Sequence, residues 1–235
     1  MLLGTWIMLP NTTTTEILAL QKFDYYVIDT QHSNITLDIL PDLIRTIRLH
    51  NPRAEIYIRI DINKFNISKC LDYGADGLVI PNIESEEEID EVLSYVNYQP
   101  HGKRSFGLLM EQKYGLDVKD KPIKVYIQIE CKLALENAPK LLNKKIHGYI
   151  IGPYDLSLDM SCNQTDIDIG EMENIEKSLI QIAKETNKLA GYHIVHPTKK
   201  IIKDKIDMGY GMIALGVDGI MLLDKSKEIL TDANY

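Results

Sequence analysis

Basic residues are in short supply: 26 Lys and Arg stand against 34 Asp and Glu, a formal net charge of −8. Binding to a phosphate backbone draws on clustered Lys and Arg that displace counterions, so this balance argues against a nucleic-acid partner. No apolar run approaches the roughly 20 residues that cross a bilayer, and no membrane role is expected. The start, MLLGTWIMLP, lacks the basic flank and cleavage site of a secretory signal, so the expected location is cytoplasmic. The cysteines are three, Cys70, Cys131 and Cys162; odd in number and scattered, they fit neither a disulfide framework nor a zinc site. The Asn-x-Ser/Thr triplets at Asn11, Asn66 and Asn163 matter only in a secreted chain and are read as chance. No strand-like run is followed by GxGxxG or a Walker loop, which removes the usual evidence for nucleotide binding.

What is present is ordinary for a folded protein: 45% hydrophobic and 26% charged residues, with enough Ile, Leu and Val to bury a core. A chain of 235 residues without a visible linker fits one domain, 1–235. Short β-rich runs alternate with stretches of helical period. Eight candidate strands emerge: Leu3–Leu9, Tyr25–Asp29, Glu55–Ile60, Gly77–Ile80, Val125–Glu130, Gly148–Ile151, Gly191–Val195 and Met212–Gly216. Between them, apolar residues recur at three- and four-residue spacing, as in Leu37, Leu40, Ile44 and Ile47, in Ile89, Val92, Leu93 and Val96, and in Ile175, Leu179, Ile182 and Ala183. Thr13 before Glu16 and Ser85 before Glu88 have capping-box spacing, and Glu86–Glu88 reads as a helix first turn. Eight βα units predict an α/β fold of the closed TIM (β/α)8 barrel type. The Pro-, Gly- and charge-rich segment from Tyr98 to Lys121 is too long for a plain connection and is expected to cover the barrel mouth. The polar tail from Lys225 to Tyr235 is expected to fray.

Such barrels place chemistry at the C-terminal ends of their strands. There stand His32 in VIDTQHSN, Arg59 in IYIRI, Glu130 in VYIQIE and Asp155 in YIIGPYDLS. Alternation puts Tyr126, Gln128 and Glu130 on one face, and turns Arg59 into the lumen, where a guanidinium needs an anionic partner. Glu130 and Asp155, two carboxylates from adjacent strands, suit a hard divalent ion with open positions for water or substrate oxygens. The plain alternative makes Glu130 a strand-end salt bridge and Asp155 a helix cap. The turn GPYDLS, through Gly152, Pro153, Tyr154 and Asp155, offers backbone N–H groups to a carboxylate. His32 is either a general base or an ordinary loop residue. His193 and His196 in GYHIVHPT are three apart, which points them to opposite faces of a strand, and they are left out of the metal site. No lysine falls at a strand C-terminus, and Lys124 lies at the start of the fifth, which argues against a Schiff base.

At these residues the chain resembles the HpcH/HpaI family of pyruvate-dependent class II aldolases, of the phosphoenolpyruvate/pyruvate barrel superfamily. The resemblance runs in order through GTWIMLP, FDYYVIDTQHSN, YIRI, CLDYGADGLVIP, YQPHGKRSFG, IQIECKLALEN, GYIIGPYDLSLDMS, GYHIVHPT and GYGMIALGVDGIMLL. It implies aldol cleavage of a 4-hydroxy-2-oxo acid to pyruvate and an aldehyde, or the reverse condensation. The implied cofactor is a divalent metal, Mg²⁺ or Mn²⁺ with Co²⁺ a third candidate, held by Glu130 and Asp155. Pyruvate would sit against Arg59, Gln128 and the amides of Gly152 to Asp155, with Arg59 neutralising the enolate oxygen and His32, steadied by Asp72 of LDYG, managing protons. A homo-oligomer, trimeric or hexameric with helix exchange, is implied as well. Two departures stand on the implied acceptor side, near Trp6: Gln31 where the family commonly has Glu, and Met110 where many relatives carry a second arginine. They keep two other readings in view, a CoA-ester lyase of the citrate lyase β-subunit type, hinted at by VHP, and a catalytically weakened barrel that binds a 2-oxo acid.

Overall fold

The computed structural model describes residues 1–118, 120–161 and 169–233; Cys162 and the Asn163 triplet lie outside them. Eight parallel strands close into a barrel in sequence order: β1 (Leu2–Ile7), β2 (Tyr25–Asp29), β3 (Glu55–Arg59), β4 (Gly77–Ile80), β5 (Lys124–Ile129), β6 (Gly148–Ile151), β7 (Leu189–Ile194) and β8 (Met212–Val217). The expected strands are all there, three with the same bounds and the others shifted by up to two residues at an end, the usual uncertainty of strand limits.

Strand alternation builds two cores. Trp6, Tyr25, Val27, Tyr57, Val79, Tyr126 and Ile150 fill the lumen. The intervening residues, among them Tyr26, Ile28, Ile56, Ile58, Leu78, Ile127 and Ile129, face outward into the layer covered by helices. Those helices are α1 (Thr12–Ala19), α2 (Leu40–His50), α3 (Lys64–Asp72), α4 (Glu86–Val96), α5 (Lys132–Leu141), α6 (Pro153–Ser161), α7 (Ile169–Glu185), α8 (Lys199–Met208) and α9 (Asp218–Asp232). The capping box of α4 forms as expected, Ser85 and Glu88 each accepting the other's backbone N–H. That of α1 does not: Asn11 is the cap, its Oδ1 accepting from Thr13 and Thr14 at 2.9 and 3.1 Å. Asn competes better for this position than Thr, and it stands directly after Pro10. Helix α9 continues through Asp232, into the tail expected to fray, whose residues 234 and 235 lie outside the described ones.

The long segment after α4 lies at the opposite end from the one expected. It leaves a helix and enters a strand, which puts it on the N-terminal floor of the barrel. Lys121 Nζ reaches Asp76 Oδ1 at 3.1 Å, ahead of β4, and the Glu111 amide donates to the Asp72 carbonyl at 3.0 Å, at the end of α3. Met110 goes with it and packs on the outer helical layer rather than at the mouth. Among the described residues, no helix is long and apolar enough to cross a membrane.

Candidate active site

The sheet register assembles the site. Asp29 ends β2 beside Arg59 at the end of β3, and Glu130, just past β5, lies next to Gly152, just past β6. Arg59 is buried, and its guanidinium grips Asp29 side-on, Nε to Oδ1 at 2.7 Å and Nη2 to Oδ2 at 2.6 Å. A further bond runs from Nη1 to Gln128 Oε1 at 3.3 Å. A guanidinium has five N–H donors, so after these three bonds two remain for another oxygen. Asp29 is the anionic partner that the sequence argument required for Arg59 but did not name. Its parity with Tyr25 and Val27 along β2, one strand away from Arg59, was the available signal.

Asp29 also shapes the loop that follows. Its Oδ1 accepts from the Gln31 amide at 2.9 Å and from the His32 amide at 3.4 Å, holding the turn that displays His32 at the mouth. The His32 side chain is exposed, and the Gln31 side-chain oxygen is buried with no partner.

Glu130 is 4% exposed and accepts the Asn82 amide at 2.7 Å. Among the described residues it makes no ion pair, so the salt-bridge alternative is not what forms. Its pKa is raised, first by burial; the Asn82 hydrogen bond opposes this, the Asp155 carboxylate raises it further, and Arg59 and His32 pull it back. Asp155 stands exposed in the first turn of α6. Leu156 donates to the Gly152 carbonyl at 3.0 Å, the first turn of that helix, which leaves the amides of Tyr154 and Asp155 without intrahelical acceptors. A Cβ on Gly152 would come within 2.8 Å of Glu130 Cβ and 2.9 Å of Oε2. Glycine therefore keeps the space beside this carboxylate open.

A buried carboxylate and an exposed one that repel each other, beside a gap, are a suitable setting for a divalent cation. Glu130 and Asp155 fit one as a two-carboxylate set completed by water and substrate oxygens. Among the described residues no group of three or more His, Cys, Asp or Glu is placed to hold a metal without such help.

The remaining expected residues are scattered more widely. Trp6 is 2% exposed inside the lumen, with the Arg59 guanidinium carbon 4.5 Å from its ring centre; it supports the site from beneath rather than lining an open acceptor side. Asp72 ends α3 on the floor, with Arg104 Nη2 at 3.3 Å from its Oδ1. Burial raises its pKa and Arg104 opposes the rise. Because α3 descends from mouth to floor, Asp72 is not brought to His32 within one chain. His193 turns into the lumen, whereas His196 is exposed and bonds Asp224 at 2.8 Å, so the two do not share a site.

The chain matches the model of the HpcH/HpaI aldolase/citrate lyase family over residues 2–224. It is 30% identical to a hydroxypyruvate/pyruvate aldolase from Rhizorhabdus wittichii, over 98% of this chain and 93% of the other. It is 27% identical to a 2-keto-3-deoxy-L-rhamnonate aldolase from Shigella dysenteriae, over 94% of this chain and 85% of that one. Among solved structures it resembles an HpcH/HpaI aldolase/citrate lyase family protein from Burkholderia cenocepacia, with a TM-score of 0.90 at 19% identity, covering 100% of this chain and 95% of the other.

Proposed function

The chain belongs to the HpcH/HpaI aldolase/citrate lyase family, and from that premise we propose that it cleaves a 4-hydroxy-2-oxo acid to pyruvate and an aldehyde, and runs the reverse condensation, through a stabilised pyruvate enolate. The observation that carries this reading is the buried Arg59, charge-balanced by Asp29 and left with two N–H donors, beside a carboxylate whose pKa burial has raised. A methyl proton of pyruvate is too weakly acidic to remove unless the enolate oxygen is neutralised, and a preorganised cation in a desolvated lumen does that. Relatives named as aldolases of pyruvate or hydroxypyruvate and of a 2-keto-3-deoxy acid support the substrate class.

Each residue then has a task. Arg59 donates to the developing enolate oxygen, and Gln128 holds one edge of its guanidinium. The amides of Tyr154 and Asp155, at the positive end of α6, take the substrate carboxylate. Glu130 and Asp155 are the residues that would hold Mg²⁺, Mn²⁺ or Co²⁺; such an ion supplies Lewis-acid polarisation of the keto group. His32, on the loop tied down by Asp29, moves the proton at the carbon that becomes the pyruvate methyl. Gln31, next to His32 on the same loop, is assigned to the aldehyde side, and its side-chain oxygen has no other partner.

The reading extends to assembly. Helix α9 buries only Asp218 and exposes Leu222, Leu223, Ile229 and Leu230, while α8 buries no residue, so both helices present surface suited to a second copy. Leu108, Leu109 and Leu116 are exposed on the floor segment. A homo-oligomer, trimeric or hexameric, covers these surfaces, and it is also the way for Asp72 and Met110 to approach a mouth, that of a neighbouring subunit.

The test is proton NMR of pyruvate in deuterated water with purified protein, with and without added Mg²⁺ or Mn²⁺. Metal-dependent loss of the methyl signal is the expected outcome, lost in Arg59→Ala. No exchange from folded protein with any metal would overturn the reading in favour of a CoA-ester lyase or a binding barrel.

A further inference from the structure

Beneath Arg59 lies a stack that the proposed chemistry does not use directly. The Trp6 and His193 rings are parallel, 4° apart with centres 4.7 Å apart, and the Arg59 guanidinium carbon lies over the same indole. Three strands, β1, β3 and β7, contribute one member each. The fourth contributor, β8, breaks its regular pairing here: Gly4 faces Ala214 but Trp6 faces Val217, so three steps on β8 match two on β1. That bulge contains Gly216 at φ +71, a conformation that a side chain would strain, and its carbonyl lies 3.3 Å from His193 Nε2. Thr5 Oγ1 bonds the neighbouring Leu215 carbonyl at 3.0 Å and fixes the same turn of backbone. Bulges re-aim side chains beside active sites, and this one serves the stack.

We propose that Trp6 and His193 form a platform that sets the plane of the Arg59 guanidinium, with His193 a positioning residue that acts through Trp6. The proposal rests on the reading of Arg59 as the enolate partner. Asp29 fixes one edge of the guanidinium, and Gln128, at 3.3 Å, holds another only loosely; a cation held over an indole face restrains the tilt of the plane that these edge bonds leave. The imidazole must be neutral to play this part, because a second cation on the same indole would compete with Arg59. Burial lowers the His193 pKa to about 4, the Gly216 carbonyl opposes the fall, Arg59 from β3 adds to it and Asp29 from β2 opposes it, so the ring carries no charge near neutrality. The carbonyl partner assigns the proton to Nε2.

His193→Ala and His193→Phe separate positioning from filling, and Trp6, the single tryptophan of the chain, reports on the stack by its emission. In the pyruvate exchange assay, His193→Ala is expected to lower kcat about 10- to 100-fold with KM changed by less than about twofold, the effect of a displaced but present catalytic group. His193→Phe, which keeps a flat ring and loses the hydrogen bond, is expected to recover most of kcat. Equal exchange in His193→Ala and the wild type, or equal loss in both variants, would overturn the platform. Trp6 emission at neutral pH is expected to shift in His193→Ala and in Arg59→Ala, measured without substrate or metal; an unchanged spectrum in both would also overturn it. Arg59→Ala that still exchanges pyruvate protons while shifting Trp6 emission would instead remove the enolate reading and leave the stack standing.

Discussion

The two ends of this barrel handle charge in opposite ways. On the floor, charges are matched: Lys124 pairs with Glu55, Tyr57 also donates to Glu55, Asp76 is shared by Arg48 and Lys121, and Lys121 reaches Glu111 at 2.9 Å. At the mouth, Arg59 and Asp29 are matched, but Glu130 is buried beside Asp155 with no ion pair among the described residues. Buried polar atoms without partners occur at both ends, Gln31 Oε1 at the mouth and Tyr98 Oη and Arg104 Nε on the floor, so the difference between the ends lies in the carboxylates. A finished network stabilises; an unfinished one in a desolvated place is costly unless something else completes it. This contrast in carboxylates is an argument for the proposed site at the mouth that draws on no relative.

The largest effect is expected where the network is unfinished. Glu130→Gln keeps the shape and removes the charge. Exchange of pyruvate protons is expected to fall by at least about 100-fold, the scale for removing one electrostatic contributor. Added Mn²⁺ should raise the melting temperature of the wild type and leave the variant unmoved. Without metal the sign reverses. An acid whose folded pKa is raised makes an unfavourable contribution at pH values above that pKa, and the contribution is relieved as pH falls through it toward the unfolded value. The metal-free variant should therefore be at least as stable as the wild type at neutral pH. A melting temperature well below that of the wild type would make Glu130 part of a finished network, and the comparison would fail.

A second variant probes the finished part of the mouth. Asp29→Asn leaves the Arg59 charge in the lumen without its counter-ion, and breaking one side of a buried pair costs about 3–5 kcal/mol. For a chain of this size that corresponds to a melting temperature lower by on the order of 10 °C. Retention of wild-type stability would show that water reaches Arg59 and that the lumen is not desolvated.

Most of the barrel was readable because each strand had its parity and each helix its period. The floor segment was misplaced since its composition marks irregular chain and says nothing about which end of a barrel it occupies. Its position between a helix and the following strand did carry that information, because such connections return to the N-terminal end. Arg59, Glu130 and Asp155 were readable as residues at strand ends. Asp29 was readable by the same parity but was hidden in a run, VID, that looks like ordinary strand. The stack on Trp6 was beyond reach: it depends on a bulge at Gly216, and a one-residue slip in pairing leaves no periodic trace.

The smallest expected effect sharpens the contrast from the other side. Lys124→Met removes the partner of Glu55 on the floor, where both side chains are 33% exposed. Partly solvated pairs contribute about 0–1 kcal/mol, so the melting temperature should drop by no more than about 4 °C. Pyruvate proton exchange should stay at the wild-type rate, since the change lies at the opposite end of the lumen from Arg59. Between the two ends, Tyr57 and Tyr126 stand with ring centres 5.1 Å apart, and Tyr57 carries the hydroxyl that bonds Glu55. If exchange fell tenfold while stability held, that aromatic column would be transmitting the state of the floor to the mouth, and the two ends would have to be treated as one network.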